Sequence, residues 1–217
     1  MKIRTLDDLV ANIDSELAWR RRELHNFNGA VVNGRSSLLP HFCRASVLLA
    51  YSHWEGFVKN VCLAYVEYVS RKKLPFDQLS TNFVALACMR ALKESGQSKS
   101  LLPYIQLIDF LRLNGTETSR VPFKDVIDTE SNLSSEVLQK LLLALGIPVD
   151  DTFILKKQFI DRNLLKTRNE IAHGERTEVS EEFASEIFSQ VELLLQGFKV
   201  AVENAAAQRL FERNPLL

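Results

Sequence analysis

The stretch LLPHFCRASVLLAYSHWEGFVKNVCLAYVEYVSRKK, residues 38–73, decides the fold. Helix-compatible residues run its whole length, with Gly56 the one interruption after Pro40. A proline in a first helical turn is tolerated because the amide it lacks would have no intrahelical partner there. Ser36 or Ser37 is the expected N-cap. At 1.5 Å per residue such a helix spans roughly 50 Å. Phe42, Val47, Leu48, Leu49, Trp54, Phe57, Val58, Val61, Leu63, Tyr65, Val66 and Val69 cover more than one face, which predicts the central, most buried helix of the protein. Polar groups on so apolar a helix are costly unless satisfied, and this singles out His53-Trp54-Glu55-Gly56-Phe57. Gly56 permits close approach of another backbone. His53 and Glu55 need partners, either local ones in the core or, for Glu55, Arg168 or His173.

Outward from this helix the pattern stays helical. Thr5 followed by Leu6-Asp7-Asp8 reads as a helix start, and Leu9, Val10, Ile13, Leu17, Leu24 and Phe27 continue one long amphipathic helix. Its other face mixes Glu16, Arg20, Arg21 and Glu23, to be solvated or paired, and Trp19 is a candidate for a partner interface. Asn28-Gly29 and Asn33-Gly34 bracket the following turn. Pro75 ends the central helix; residues 82–94 and 101–111 form two more, the second short and apolar. Residues 115–133 lack periodicity and form an irregular insert, with Val121, Phe123, Val126 and Ile127 as anchors. Ser134 or Ser135 caps a helix over 136–145 that Gly146 and Pro148 close. A helix is predicted from near Phe153 to His173, and Ser180-Glu181-Glu182 opens the last, with Phe183, Ile187, Val191, Leu194, Leu195, Phe198, Val200 and Val202 as its core-facing stripe. No segment alternates like a strand and no repeat has a fixed period.

Composition bounds the function. The chain has 217 residues, 46% hydrophobic and 25% charged, enough for one core. Its 27 basic and 27 acidic side chains cancel, so no global field draws it to nucleic acid or to an anionic membrane. Cys43, Cys62 and Cys88 lie far apart in apolar helical segments, which argues for reduced core thiols rather than a disulfide framework or a zinc site. Neither a signal peptide nor a membrane-spanning run is expected, and the expected location is cytoplasmic.

Chemistry concentrates at Arg168-Asn169-Glu170-Ile171-Ala172-His173-Gly174, where a fixed cation and a titratable imidazole precede a glycine suited to end a helix. On an ideal helix Asn169 and His173 share a face while Arg168 and His173 diverge. Upstream, Lys156, Lys157, Arg162 and Lys166 join Arg168 against the single acid Asp161, a local cation cluster for phosphate contact or merely a solvated face. Arg, Asn and Glu are equally ordinary on a helix surface, and a histidine before glycine can simply cap carbonyls.

The Arg-x4-His spacing resembles the signature of the HEPN superfamily. Residues 15–24 (ELAWRRREL after Ser15) and 50–58 (AYSHWEGFV) resemble a bacterial branch of it with an extended helical bundle, so the likeness spans residues 5 to about 205. The resemblance implies an all-α, HEPN-like up-and-down helical bundle with extra helices, residues 1–217 forming a single domain around the insert. It implies a homodimer in which two motifs face one cleft, RNA as partner, and an antitoxin or neighbouring defence protein as a further one, with no membrane or DNA target and no cofactor. Arg168 and His173 would be catalytic, Asn169, Glu55 and His53 supporting, Lys156, Lys157, Arg162 and Lys166 RNA-binding, and no metal is needed. A tyrosine that several toxin members carry shortly after the histidine is replaced here by Gly174-Glu175-Arg176.

Two function classes follow from these residues. One is a metal-independent endoribonuclease, a toxin or phage-defence effector. RNA supplies its own nucleophile, the ribose 2′-hydroxyl; an imidazole with an unperturbed pKa of roughly 6.5 suits proton transfer near neutrality, and arginine offers a bidentate donor to phosphoryl oxygens. The other is a non-catalytic helical binding or regulatory module in which Arg168 and Glu170 are surface ion-pair residues. A helical small-molecule sensor is a third, weaker fit.

Overall fold

A computed structural model describes residues 2–32, 37–96, 100–113, 115–123 and 132–213, the side chains of 90, 91 and 93–95 excepted. The Asn33-Gly34 turn, Ser36, and the anchors Val126 and Ile127 lie outside the described residues. The described helices are α1 (Leu6–Val32), α2 (Leu39–Lys72), α3 (Thr81–Gly96), α4 (Leu102–Leu113), α5 (Ser135–Ala144), α6 (Asp151–Leu155), α7 (Thr167–Ala172) and α8 (Glu181–Ala207). A 3-10 turn, Phe76–Gln78, precedes α3, and a π-helix, Phe159–Lys166, precedes α7. Among the described residues no strand occurs, only isolated bridges from Pro75 to Thr118 and from Leu79 to Glu212. The fold is all-α. No helix among the described residues is long and apolar enough to cross a membrane.

Cross-links between helices fix their directions. Glu16 meets Asn60, Glu23 meets His53 and Phe27 meets Phe42, so α1 runs antiparallel to α2. Asp14 meets Lys199, Arg21 meets Gln196 and Asn28 meets Ser185, so α8 runs antiparallel to α1 and alongside α2. The other two long helices, α1 and α8, bury α2 as its composition requires. Trp54, Phe57 and Phe153 surround Phe198 with ring centroids 6.0, 6.3 and 6.2 Å away in edge-on geometry. Each such ring contributes roughly 1.5–3 kcal/mol by burial. A second, smaller cluster of Val31, Cys43, Val47, Ile171, Val179 and Ala184 joins α7 to the start of α2 and of α8.

Caps follow the sequence closely. Thr5 Oγ1 accepts from the Asp8 amide while Asp8 Oδ2 accepts from the Thr5 amide, a reciprocal box. Ser134, Asp150 and Ser180 cap α5, α6 and α8 through their side-chain oxygens. Elsewhere the expectations need correction. The helix α1 does not stop at Asn28-Gly29 but continues to Val32, because Asn28 is tied to α8 and Val31 is fully buried. Ser37 does not cap α2, whose N-cap Leu38 makes no side-chain bond. The helix predicted from Phe153 to His173 is broken into α6, the π segment and α7. Val200 is exposed rather than part of the core stripe, and α4 buries none of its residues fully. Residues 115–123 of the insert are ordered across the end of α2: Ser119 donates to Leu74 O at 3.0 Å, Ser70 Oγ donates to Val121 O at 2.7 Å, and Val121 is buried.

Arg20 was expected on a solvated or paired face, and it is paired but buried, 3% exposed, beside α2. Its Nη1 donates to Glu16 Oε2 at 2.5 Å and to Glu16 O at 2.8 Å, and its guanidinium lies over the Trp19 ring, 4.3 Å from the centroid. A Cβ at Gly56 would stand 3.4 Å from Arg20 Nη2, so the glycine makes room for a guanidinium rather than for a second backbone. His53, also buried, meets Glu23 at 2.7 Å and the Trp19 ring edge-on at 5.1 Å. Burial, aided by Arg20, holds the His53 pKa below its usual value in spite of Glu23.

Two outcomes test this seam. Glu16→Ala strands a buried guanidinium and should lower stability by about 3 kcal/mol in urea titrations; a loss under about 0.5 kcal/mol would mean Arg20 is satisfied otherwise. His53 takes up a proton more readily when unfolded, so its contribution is complete above an unfolded pKa of roughly 6.5 and is lost as pH falls below it. Urea midpoints should therefore drop between about pH 7 and pH 5.5, and His53→Gln should flatten that slope; a slope the variant leaves unchanged would assign the titration to another group.

Candidate functional site

The short helix α7 carries the Arg168-to-His173 stretch, and hydrogen bonding explains its end. His173 is the C-cap and Gly174, with φ of 84°, follows it. Glu175 N–H donates to Glu170 O at 3.0 Å and Gly174 N–H to Ile171 O at 3.1 Å, the double closure of a Schellman motif. The left-handed φ favours glycine, and the closure turns the chain away so that His173 stands exposed at the tip. Ile171, buried in the second apolar cluster, anchors α7 from the opposite side.

Arg168 points inward toward α2. Its guanidinium carbon lies 4.4 Å from the centroid of the Tyr51 ring, within cation–π range. Its Nη1 donates to Asn169 Oδ1 at 2.7 Å and to Asn132 Oδ1 at 3.1 Å. Both of these acceptors are neutral amide oxygens. Tyr51 is 1% exposed, and its hydroxyl accepts from the Leu133 amide at 2.6 Å. Glu55, one helical turn on, acts electrostatically on the same hydroxyl, and burial above all pushes the phenol's pKa up to about 12, so it stays protonated.

The residues singled out in the sequence separate accordingly. Glu55 shares a face of α2 with Tyr51 and belongs to the Arg168 neighbourhood through that hydroxyl. His53, two residues from Tyr51, faces α1 instead and pairs with Glu23, so the structure does not bring it to Arg168. Asn169 touches Arg168 directly. Lys156 turns toward α8, its Nζ donating to Gln190 Oε1 at 2.5 Å. Lys157, Arg162 and Lys166 are exposed, and Lys166 lies 3.7 Å from Glu170. The π segment that presents Arg162 and Lys166 is latched to α5 by Asp161, whose two oxygens accept from Ser135 N and Ser135 Oγ at 2.7 and 2.6 Å. Beside α7 a groove of about 790 Å³ is lined by His41, Arg44, Thr167, Arg176, Glu178 and Phe183 among others. Arg44 also donates to Glu175 O at 2.8 Å and so ties the start of α2 to the loop after the motif.

Tyr51 and Asn132 were missed by motif reading. Tyr51 lies inside the 50–58 stretch, where only its spacing of four from Glu55, which places both on one face, could have marked it out. Asn132 closes an aperiodic insert and carried no signal. Among the described residues, no group of three or more His, Cys, Asp or Glu side chains is arranged to hold a metal ion.

Comparison with curated proteins and with solved structures finds no match. A family model described as RiboL-PSP-HEPN matches residues 15–204, taking in α1, α2, the Arg168-to-His173 stretch and nearly all of α8. A match over that much of the chain agrees with the all-helical architecture, and the chain belongs to the RiboL-PSP-HEPN family.

Proposed function

We propose that the protein is a metal-independent endoribonuclease of HEPN type, a toxin or phage-defence effector that cleaves RNA by transesterification. The observation that carries the reading is a guanidinium hydrogen-bonded to neutral amide oxygens on α7, five residues before an exposed imidazole at the end of the same helix. In the reaction the His173 imidazole takes the proton of the ribose 2′-hydroxyl, and the 2′-oxygen attacks phosphorus. Arg168 stabilises the charge gathering on the phosphoryl oxygens. The 5′-oxygen leaves as it receives a proton from an imidazolium, giving a 2′,3′-cyclic phosphate and a 5′-hydroxyl. Asn169 orients Arg168, and Lys157, Arg162 and Lys166 contact flanking phosphates. No step requires a metal, because the nucleophile and the leaving group are both handled by proton transfer.

The active unit of this reading is a homodimer. Arg168 points inward at Tyr51 while His173 is exposed five residues later, so a single copy presents the two groups in different directions, and two copies about a two-fold axis would complete one cleft. Light scattering at micromolar concentration should give twice the chain mass; a monomer would count against the arrangement. The protein's partners then comprise RNA, a second copy, and an antitoxin or neighbouring defence protein that restrains it.

His173→Ala and Arg168→Ala should each reduce cleavage of mixed RNA by at least about a hundredfold with helical circular dichroism unchanged. An unfolded variant would make the stretch structural. The decisive substrate is an RNA with one deoxyribose 5′ to the cleaved bond: cutting there should stop, while binding weakens only by one hydroxyl contact, about 1 kcal/mol. A binding module would bind both oligonucleotides and cut neither. Continued cutting at the deoxy position would mean that water, not the ribose, is the nucleophile.

A further inference from the structure

We infer that Tyr51 is a positioning residue that holds Arg168 in its working orientation by two routes, through its ring and through its hydroxyl. The inference rests on the reading of Arg168 as the phosphoryl-binding cation. An arginine side chain loses about 2 kcal/mol of rotamer entropy when fixed. It serves a transition state only if that ordering is complete beforehand. Here α7 is too short to order it alone, with six residues between the π segment and the C-cap.

The first route is the ring. With the guanidinium carbon 4.4 Å from the ring centroid, one face of the cation rests on the π surface and the plane of the fork is set. A carboxylate in the same place would hold arginine as firmly but would cancel its charge and compete with a phosphate. An aromatic face does neither. The second route is the hydroxyl. By accepting from the Leu133 amide at 2.6 Å it pins the backbone next to Asn132, whose Oδ1 accepts from Arg168 Nη1. The phenol is buried, 1% exposed, so the ring and the hydroxyl are held by packing as well as by that bond. Both hydrogen bonds from Arg168 to described residues leave from Nη1, which leaves the Nη2 and Nε edge for an incoming phosphoryl group.

The test uses the full chain and reads the arginine directly. The side-chain NMR resonances of Arg168, assigned by their loss in Arg168→Lys, should be shifted upfield by the ring current of Tyr51. Tyr51→Phe keeps the ring and should keep that shift, but loosens Asn132; kcat on RNA should fall about tenfold, with KM within about twofold, as for one lost hydrogen bond. Tyr51→Leu should abolish the shift and lower kcat about a hundredfold, the cost of a misplaced catalytic group. The pH profile should stay put in both, since the proton-transfer group is untouched. Should Tyr51→Leu not fold, the wild-type shift and the Tyr51→Phe split still decide. Absence of an upfield shift in the wild type, or full kcat in Tyr51→Phe, overturns the proposal. A wild-type protein that cuts no RNA, yet whose Arg168 resonance still follows Tyr51, would sink the nuclease reading and leave the positioning intact.

Discussion

The burial of α2 by α1 and α8 governs where every polar group on that helix can go. Trp54, Phe57, Val58, Val61, Cys62, Tyr65 and Val66 are essentially inaccessible to solvent, so little of the helix surface can carry a hydrogen-bonding side chain without a partner brought by another element. Two strips remain. Toward α1, His53 meets Glu23, Asn60 meets Glu16, and Gly56 leaves room for Arg20. Toward α7, Tyr51 meets the Leu133 amide through its hydroxyl and the Arg168 guanidinium through its ring. The candidate site is thus the second of two polar seams on one buried helix, and its residues are constrained from the core outward.

The two seams use the same pieces differently. In each, an arginine lies over an aromatic ring, Arg20 over Trp19 and Arg168 over Tyr51. Arg20 is ion-paired to Glu16 and almost wholly buried, a closed arrangement in which the charge is spent inside the protein. Arg168 is partly exposed and bonded to neutral amide oxygens. A closed ion pair holds helices in register; an arginine held by neutral groups keeps its field available to a ligand. The sequence pattern leaves Arg20 on a face to be solvated or paired, and only the fold separates the two roles.

What was legible in the sequence was local. Thr5, Ser134, Asp150 and Ser180 cap helices through hydrogen bonds two or three residues long, and Gly146 and Gly174 end them with positive φ. These features depend on neighbours in the chain, so residue type and spacing suffice. The extension of α1 past Gly29 was not legible, because it rests on Asn28 reaching Ser185 and on Val31 reaching a cluster built from four other segments. The π segment was hidden for a related reason: Phe159, Ile160, Leu164 and Leu165 fit an α-helical stripe, and Asp161 reaches a serine amide more than twenty residues earlier in the chain. The site divides along the same line. Arg168, Asn169 and His173 stand out as a spacing, whereas Asn132 becomes visible only when the end of an aperiodic insert is seen to touch α7.

Membership of the RiboL-PSP-HEPN family narrows the chemistry without deciding it, since the superfamily resemblance embraces catalytic and binding domains alike. The physical question is whether Arg168 is held for itself or for something else. A residue kept only for packing gains by neutralising its charge, because an unpaired guanidinium near the core carries a desolvation cost. Arg168 is held instead by the face of the Tyr51 ring and by the amide oxygens of Asn132 and Asn169. A phenol face and neutral amides fix the cation in place without supplying a counter-charge of their own. That arrangement sacrifices stabilisation at the site, and such a sacrifice is what selection for anion binding, rather than for a well-packed helix end, would maintain.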